Sequence, residues 1–353
     1  SQRPLRALFS ALRVCACALD IKDRYFITTY RGVYRLEKSG LYKVLDFPAY
    51  GIAADADFLY FALYLGTRSA LVRASRDPFV AGGGDAAITE LHEEALSSSN
   101  QRMHALWLGA DHLWAANTGR NPLLRIDRSD PTTKHEFPLF FDRFDRPLHG
   151  DVNHVNGISE YNGTVFFTAY RAGQQAMVGL FDGRRVLGHA YPNVGIHAIY
   201  LSESGLFFCD TFGPPGGSGG GMLMTAKGPY DPGYFSRGSG YIVRGLAGSS
   251  EELLIGHSHK GERSKRFEGK GSILLGVSER IVGEQEIEAA QVYQIMTCDG
   301  DFLRPRPQQL TTVQAMLLLK DCFGEPIYEA ELAKQDAAGS AASSSRPTNR
   351  IIN

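Results

Sequence analysis

The fourteen residues HALWLGADHLWAAN, His104 to Asn117, return in outline as HAIYLSESGLFFCD, His197 to Asp210. The same outline starts at Cys17 (CALDIKDRYFITTY), Tyr50 (YGIAADADFLYFAL), Asn156 (NGISEYNGTVFFTA) and Arg244 (RGLAGSSEELLIGH). In each unit a small residue beside an aliphatic one leads through a polar turn into a four-residue apolar burst: FITT, LYFA, LWAA, VFFT, LFFC, LLIG. Self-similarity at intervals of a few tens of residues means stacked supersecondary units, none of which buries its apolar face alone. A short small-residue strand followed by a continuously apolar one reads as a hairpin whose second strand is covered on both faces. Weaker strand pairs follow each hairpin, such as GVYRLEK with LYKVLDF and AMVGLFD with RVLGHAY. Four strands per unit is the arithmetic of a propeller blade. The expected fold is therefore all-β, a six-bladed β-propeller over residues 1–300. Residues 301–334 form a short C-terminal extension with a helix packed on the rim, and 335–353 a disordered tail. Helical periodicity is nearly absent before residue 285, which excludes folds that need crossover helices. The segment 289–298, AAQVYQIMTC, is assigned as an outer strand of the last blade.

Charge narrows the function. Lys and Arg number 37 and Asp and Glu 38, leaving no field to draw nucleic acid or an anionic membrane. No apolar run approaches the length of a membrane-spanning helix. The N-terminal stretch does not read as a secretory signal. Five widely spaced cysteines suggest free thiols and a cytoplasmic setting, not a disulfide framework. The Gly-rich segment 213–240 lacks the Lys-Ser/Thr and helix of a phosphate loop and reads as a lid.

Inner strands of a propeller line its channel, so equivalent positions form rings. The first ring is Cys17, Tyr50, His104, Asn156, His197 and Arg244. A second comes from the ends of the apolar strands: Tyr30, Leu63, Asn117, Ala169, Asp210 and His257. Imidazoles with Asn and Asp can hold a divalent metal, so Asn156, His154, His197 and Asp210 are the candidate ligands, a His-rich set leaning to Zn, Fe or Mn. His197, His104, His257 and Arg244 are the candidate catalytic residues, a neutral imidazole serving as general base. Arg244, Tyr50 and Asn117, with Arg263 and Arg266 of the basic loop GERSKRFEGK, are the candidate substrate contacts.

Residues 154–171 and 196–212 resemble the six-bladed, calcium-dependent propellers of the gluconolactonase/regucalcin and strictosidine-synthase-like superfamily. The resemblance implies that Asn156 of VNGIS is a calcium ligand, with His104 and His197 at other ligand positions. Cys17 stands where the family carries an acidic ligand. The resulting expectation is a metal-assisted hydrolase or lyase acting on a small anionic molecule, such as a sugar acid, ester or lactone. The alternative is a non-catalytic propeller binding a small ligand or a protein.

Overall fold

The computed structural model describes residues 6–10, 12–81, 83–95, 102–142, 144, 146–161, 163–170, 176–193, 195–202, 205–212, 220–235, 241–249, 251–259, 267–299, 312–332 and 349–351. Their strands form six antiparallel sheets, and the protein is a six-bladed β-propeller. The apolar bursts lie in the second strands of the blades: Tyr25–Thr29, Phe58–Tyr64, His112–Asn117, Thr164–Ala169, Gly205–Asp210 and Leu253–His259. Phe61, Phe166 and Phe167 of these strands are among the most completely buried side chains. Neighbouring blades cover both faces of each second strand, which explains why these segments do not alternate apolar with polar.

The inner strands of blades 2 to 6 are Ala49–Ala54, Met103–Leu108, Val155–Tyr161, Ile196–Ser202 and Tyr241–Gly248. That of blade 1 comes from the far end of the chain. Val292–Thr297 pairs antiparallel with Tyr25–Thr29, which leads on through Gly32–Glu37 and Gly40–Leu45 to an outer strand, Leu12–Cys15. Each inner strand contacts the next, and Val292–Thr297 touches both Tyr241–Gly248 and Ala49–Ala54. The ring is thus closed within a single blade by both ends of the propeller chain.

This corrects two assignments. AAQVYQIMTC is not an outer strand of the last blade, which ends in Arg280–Ile287. Cys17 is not on an inner strand. It lies between Leu12–Cys15 and Tyr25–Thr29, its thiol donating to the Leu19 carbonyl while the Ala18 amide donates to Gln285. The place given to Cys17 belongs to Tyr293.

All six inner strands carry a register shift at or immediately after the ring position: at Tyr50, His104–Ala105, Asn156, Ala198, Arg244–Gly245 and Tyr293. A bulge adds one residue against the partner strand and re-aims its side chain. Ala198 (φ 48°) and Gly245 (φ 71°) take the left-handed backbone that such insertions use. A small residue follows the ring residue in five blades (Gly51, Ala105, Gly157, Ala198, Gly245) because adjacent inner strands approach closely there. A Cβ on Gly51 would stand 2.3 Å from the His104 carbonyl oxygen, and one on Gly157 2.8 Å from the Ala198 amide nitrogen. Gly51→Ala is therefore expected to cost ~1–3 kcal/mol by overpacking, read as a lower urea midpoint. An unchanged midpoint would mean that the strands can part freely.

In blade 1 the following residue is Gln294, and it fills the axis. Its Oε1 accepts from the Ile52 amide (2.9 Å) and the Leu106 amide (3.3 Å), and its Nε2 donates to the Leu106 carbonyl (2.8 Å). One side chain thus ties blade 1 to blades 2 and 3 and floors the channel.

Beyond the ring, helix Thr312–Phe323 buries Ala315 and Leu319 among Tyr191, Phe208 and other side chains of blades 4 and 5. The extension is not helical throughout. Pro326–Glu331 adds a strand to the outer edge of blade 4, and Asn349–Ile351 pairs with it in turn. The tail expected to be disordered, 335–353, lies outside the described residues except for that strand. The Gly-rich stretch expected to be a lid is only partly described, but Met222–Thr225 and Gly228–Pro229 within it are blade 5's outer strands. Among the described residues no helix is long and apolar enough to cross a membrane. The five cysteines are free, with Cys209 and Cys298 buried.

Candidate functional site

The bulges deliver the ring to one cavity at the N-terminal ends of the inner strands. Tyr50, His104, Asn156, His197, Arg244 and Tyr293 line it, with Gln294 and Tyr200 below. Five of these six ring positions are those the repeat indicates. The space is small, about 20 Å³ open to the centre of a water molecule, room for one or two waters. Among the described residues, Arg244 is the only Lys or Arg in the lining, and no carboxylate lines it.

His104 is held by a network that assigns its tautomer. Its Nδ1 lies 2.9 Å from the Arg102 carbonyl oxygen and 2.8 Å from Thr118 Oγ1. A carbonyl can only accept, and the Thr118 hydroxyl is committed as donor to the Val155 carbonyl. Nδ1 therefore carries the proton, which leaves Nε2 as the bare, basic nitrogen. Burial pushes the His104 pKa well below its ordinary value, and the neighbouring His154, Arg244 and Arg102 push it the same way. The ring is neutral at physiological pH. The second His of the repeat is held alike, with His197 Nδ1 2.5 Å from Thr211 Oγ1. Thr118 and Thr211 both stand fourteen residues after their His, so the repeated unit extends one residue past Asn117 and Asp210, to ANT and CDT.

The lining residues Asn156 and Tyr50 each carry a donor with no hydrogen-bond partner among the described residues. Asn156 Oδ1 accepts from the Thr168 hydroxyl (2.7 Å), while its Nδ2 is buried and unmatched. The buried Tyr50 hydroxyl is likewise unmatched. Tyr50 stacks on Tyr293 (centroids 4.1 Å apart), and the Arg244 guanidinium lies 5.9 Å from the Tyr293 ring. An unmatched buried donor costs about 1–3 kcal/mol, so the cavity calls for an acceptor.

The second ring is equivalent from blade to blade but does not line the cavity. Leu63, Asn117, Ala169, Asp210 and His257 each pair with the residue before the ring residue, and Thr29, not Tyr30, completes the set. Asp210 is fully buried, accepting from Asn193 (2.5 Å) and from the Phe212 amide (3.3 Å). His257 stacks on Tyr241 (4.1 Å) beside Ser272, and burial lowers its pKa to about 4. Asn117 is fully buried opposite Met103, both side-chain polar atoms unmatched among the described residues. His154 packs 5.1 Å from the His104 ring, its Nδ1 held 2.8 Å from Asp151 Oδ1. Arg263 and Arg266 lie outside the described residues.

The four candidate ligands do not come together as one set for a divalent metal. Of Asn156, His154, His197 and Asp210, only Asn156 and His197 line the cavity, and a guanidinium shares their ring. Calcium needs six to eight oxygen ligands, and of the candidates that line the cavity only Asn156 brings a side-chain oxygen. Among the described residues, no three His, Cys, Asp or Glu are grouped to hold an ion.

No known protein family matches the sequence, and no curated protein is significantly similar to it. Solved structures match it in shape. A chain of the nidogen/laminin complex superposes with a TM-score of 0.55 at 11% identity, over 79% of this chain and 100% of that one. TolB from Acinetobacter baumannii gives 0.52 at 11% identity, over 79% and 67%. A streptogramin B lyase gives 0.42 at 15% identity, over 78% and 93%. At such identities the shared property is the propeller. The likeness to gluconolactonase-type propellers thus reaches the six-bladed architecture, and nothing specific to that superfamily accompanies it.

Proposed function

We propose that this propeller is an enzyme whose channel-end cavity acts on a small anionic molecule, such as a sugar acid, ester or lactone, by hydrolase- or lyase-type chemistry without a resident metal. One observation carries the reading: a neutral His104 with bare Nε2 sits in a lining of Arg244 and the unmatched donors Asn156 Nδ2 and Tyr50 OH. Donors around one base are what a carbonyl or carboxylate needs, because they favour the negative charge that grows as the base removes a proton. For an ester or lactone, His104 Nε2 takes a proton from water as its oxygen bonds to the carbonyl carbon. The oxyanion forms against Asn156 and Arg244. Its collapse breaks the C–O bond, and the departing alkoxide recovers the proton from the imidazolium, giving acid and alcohol. His197, two blades on, orients the substrate.

The test is pH-stat titration against aldonolactones and carboxylate esters. Turnover of at least one compound is expected, reduced tenfold or more in both His197→Ala and Arg244→Ala. Unchanged turnover in both variants would sink the reading. The cavity's narrowness favours a second reading, a non-catalytic propeller that grips only the anionic end of a ligand. Carboxylate binding with no turnover across the panel would select it.

A further inference from the structure

The residue after each strand-end partner of the inner ring belongs to a further set of equivalent positions: Tyr30, Tyr64, Thr118, Tyr170, Thr211 and Ser258. In blades 3 and 5 it is the threonine that holds the channel histidine, so the set borders the cavity end of the propeller. Blades 1 and 2 place tyrosines there, and both are only partly buried. The Tyr30 and Tyr64 rings lie 6.5 Å apart between centroids and 30° from parallel. Phe267, which precedes the third strand of blade 6, reaches across to blade 1 and stacks on Tyr30 at 4.0 Å. It too is partly exposed. Three rings from three blades make one aromatic ledge that reaches solvent. Arg102 joins the ledge to the cavity, its guanidinium carbon 3.8 Å from the Tyr64 ring centroid and 4.9 Å from that of the lining residue Tyr50. Contiguous apolar surface beside a pocket with polar groups is the usual make-up of a ligand site.

The size of the cavity decides what the ledge is for. Its room for one or two waters admits a carboxylate or ester head group and no ring, so the body of a ligand must extend outwards. We infer that Tyr30, Tyr64 and Phe267 form an aryl subsite, and that the ligand is an aromatic ring joined by a short spacer to the carboxylate or ester in the cavity. The inference rests on reading the cavity as an anion site and names the substrate class. A planar ring continues the Tyr30–Phe267 stack, with its face or its edge against the next ring. A saturated ring covers similar area but has neither the flat face nor the quadrupole. The spacer is needed because Arg102 and Tyr50 stand between ledge and cavity.

Calorimetric titration of the full chain tests this with matched series: phenyl-terminated carboxylates from phenylacetate to phenylvalerate, their cyclohexyl counterparts, the phenyl-terminated alcohols, and glucuronate as a sugar acid. The best phenyl acid is expected to bind at least about fivefold more tightly than its cyclohexyl counterpart, the size of a stacked aromatic pair, and more tightly than its alcohol. In Tyr30→Ala and in Phe267→Ala the phenyl-to-cyclohexyl ratio is expected to fall towards one. Equal binding of phenyl and cyclohexyl acids, or a preference that survives both substitutions, would overturn the aryl subsite and leave the anion cavity standing. Glucuronate binding tighter than every phenyl acid would replace the aryl body with a sugar. Phenyl alcohols binding as tightly as the acids would remove the anion reading and leave the ledge. Binding of no probe would remove both. If one variant fails to fold, the other and the wild-type series decide.

Discussion

Gln294→Met is expected to destabilise the protein by ~3–5 kcal/mol. The substitution nearly keeps length and volume, so it removes polar atoms without opening a large cavity. It strands the Ile52 and Leu106 amides and the Leu106 carbonyl, which Gln294 satisfies at 2.9, 3.3 and 2.8 Å. Each buried orphan costs about 1–3 kcal/mol. The loss falls at the closing blade, whose inner strand arrives from the end of the chain and joins segments more than two hundred residues apart in sequence. A propeller whose ring opens exposes six inner strands at once, so the change should appear in the global transition. The measurement is equilibrium urea denaturation of wild type and variant, followed by tryptophan fluorescence and far-UV circular dichroism together. A midpoint shift equivalent to less than about 1 kcal/mol would mean that Gln294 does not bolt the ring. Non-coincident transitions would show that blade 1 opens by itself.

That bolt also marks where the sequence stops being readable. Repeat arithmetic finds the blades because each hairpin is local: a short strand, a turn, and a strand covered on both faces. It finds five ring residues because their bulges fall at equivalent places, each followed closely by a glycine or alanine. It misplaces the sixth because closure is not local. Cys17-Ala18-Leu19 imitates the opening of a unit, yet the channel position of blade 1 belongs to Tyr293, which no nearby hairpin announces. The sign available was QVYQIM itself, a bulged inner strand with no second strand after it. Asn117, Asp210 and His257 are rightly grouped as equivalent but lie behind the ring, since they pair with the residue before the bulge and not with the re-aimed one. The extra residue changes which side chain faces the axis, and alternation along a strand cannot reveal that without the partner's register. Arg102 precedes the unit, and only the folded chain packs it against Tyr50 and Tyr64.

His104→Ala is expected to lower kcat by ~10²–10⁴ on whichever anionic substrate is turned over, the range for loss of a positioned base. The pH profile separates a base from a merely structural histidine. The working form is the neutral imidazole, so activity falls when His104 gains a proton. Burial, His154 and the two guanidiniums hold its pKa well below the usual histidine value in the free protein. The acid limb of kcat/KM, which reports the free enzyme, should therefore lie well below pH 6.5. A bound anion adds negative charge beside Arg244 and offsets the field that opposes protonation. The His104 pKa then rises in the complex, and the acid limb of kcat should sit at higher pH than that of kcat/KM. The direction is informative, because a substrate without negative charge leaves the two limbs together. Coincident limbs with an anionic substrate, or an acid limb that survives His104→Ala, would remove His104 from the reaction. The expected separation ties the base to the ring around it: anion binding raises its basicity towards the operating pH as the substrate arrives.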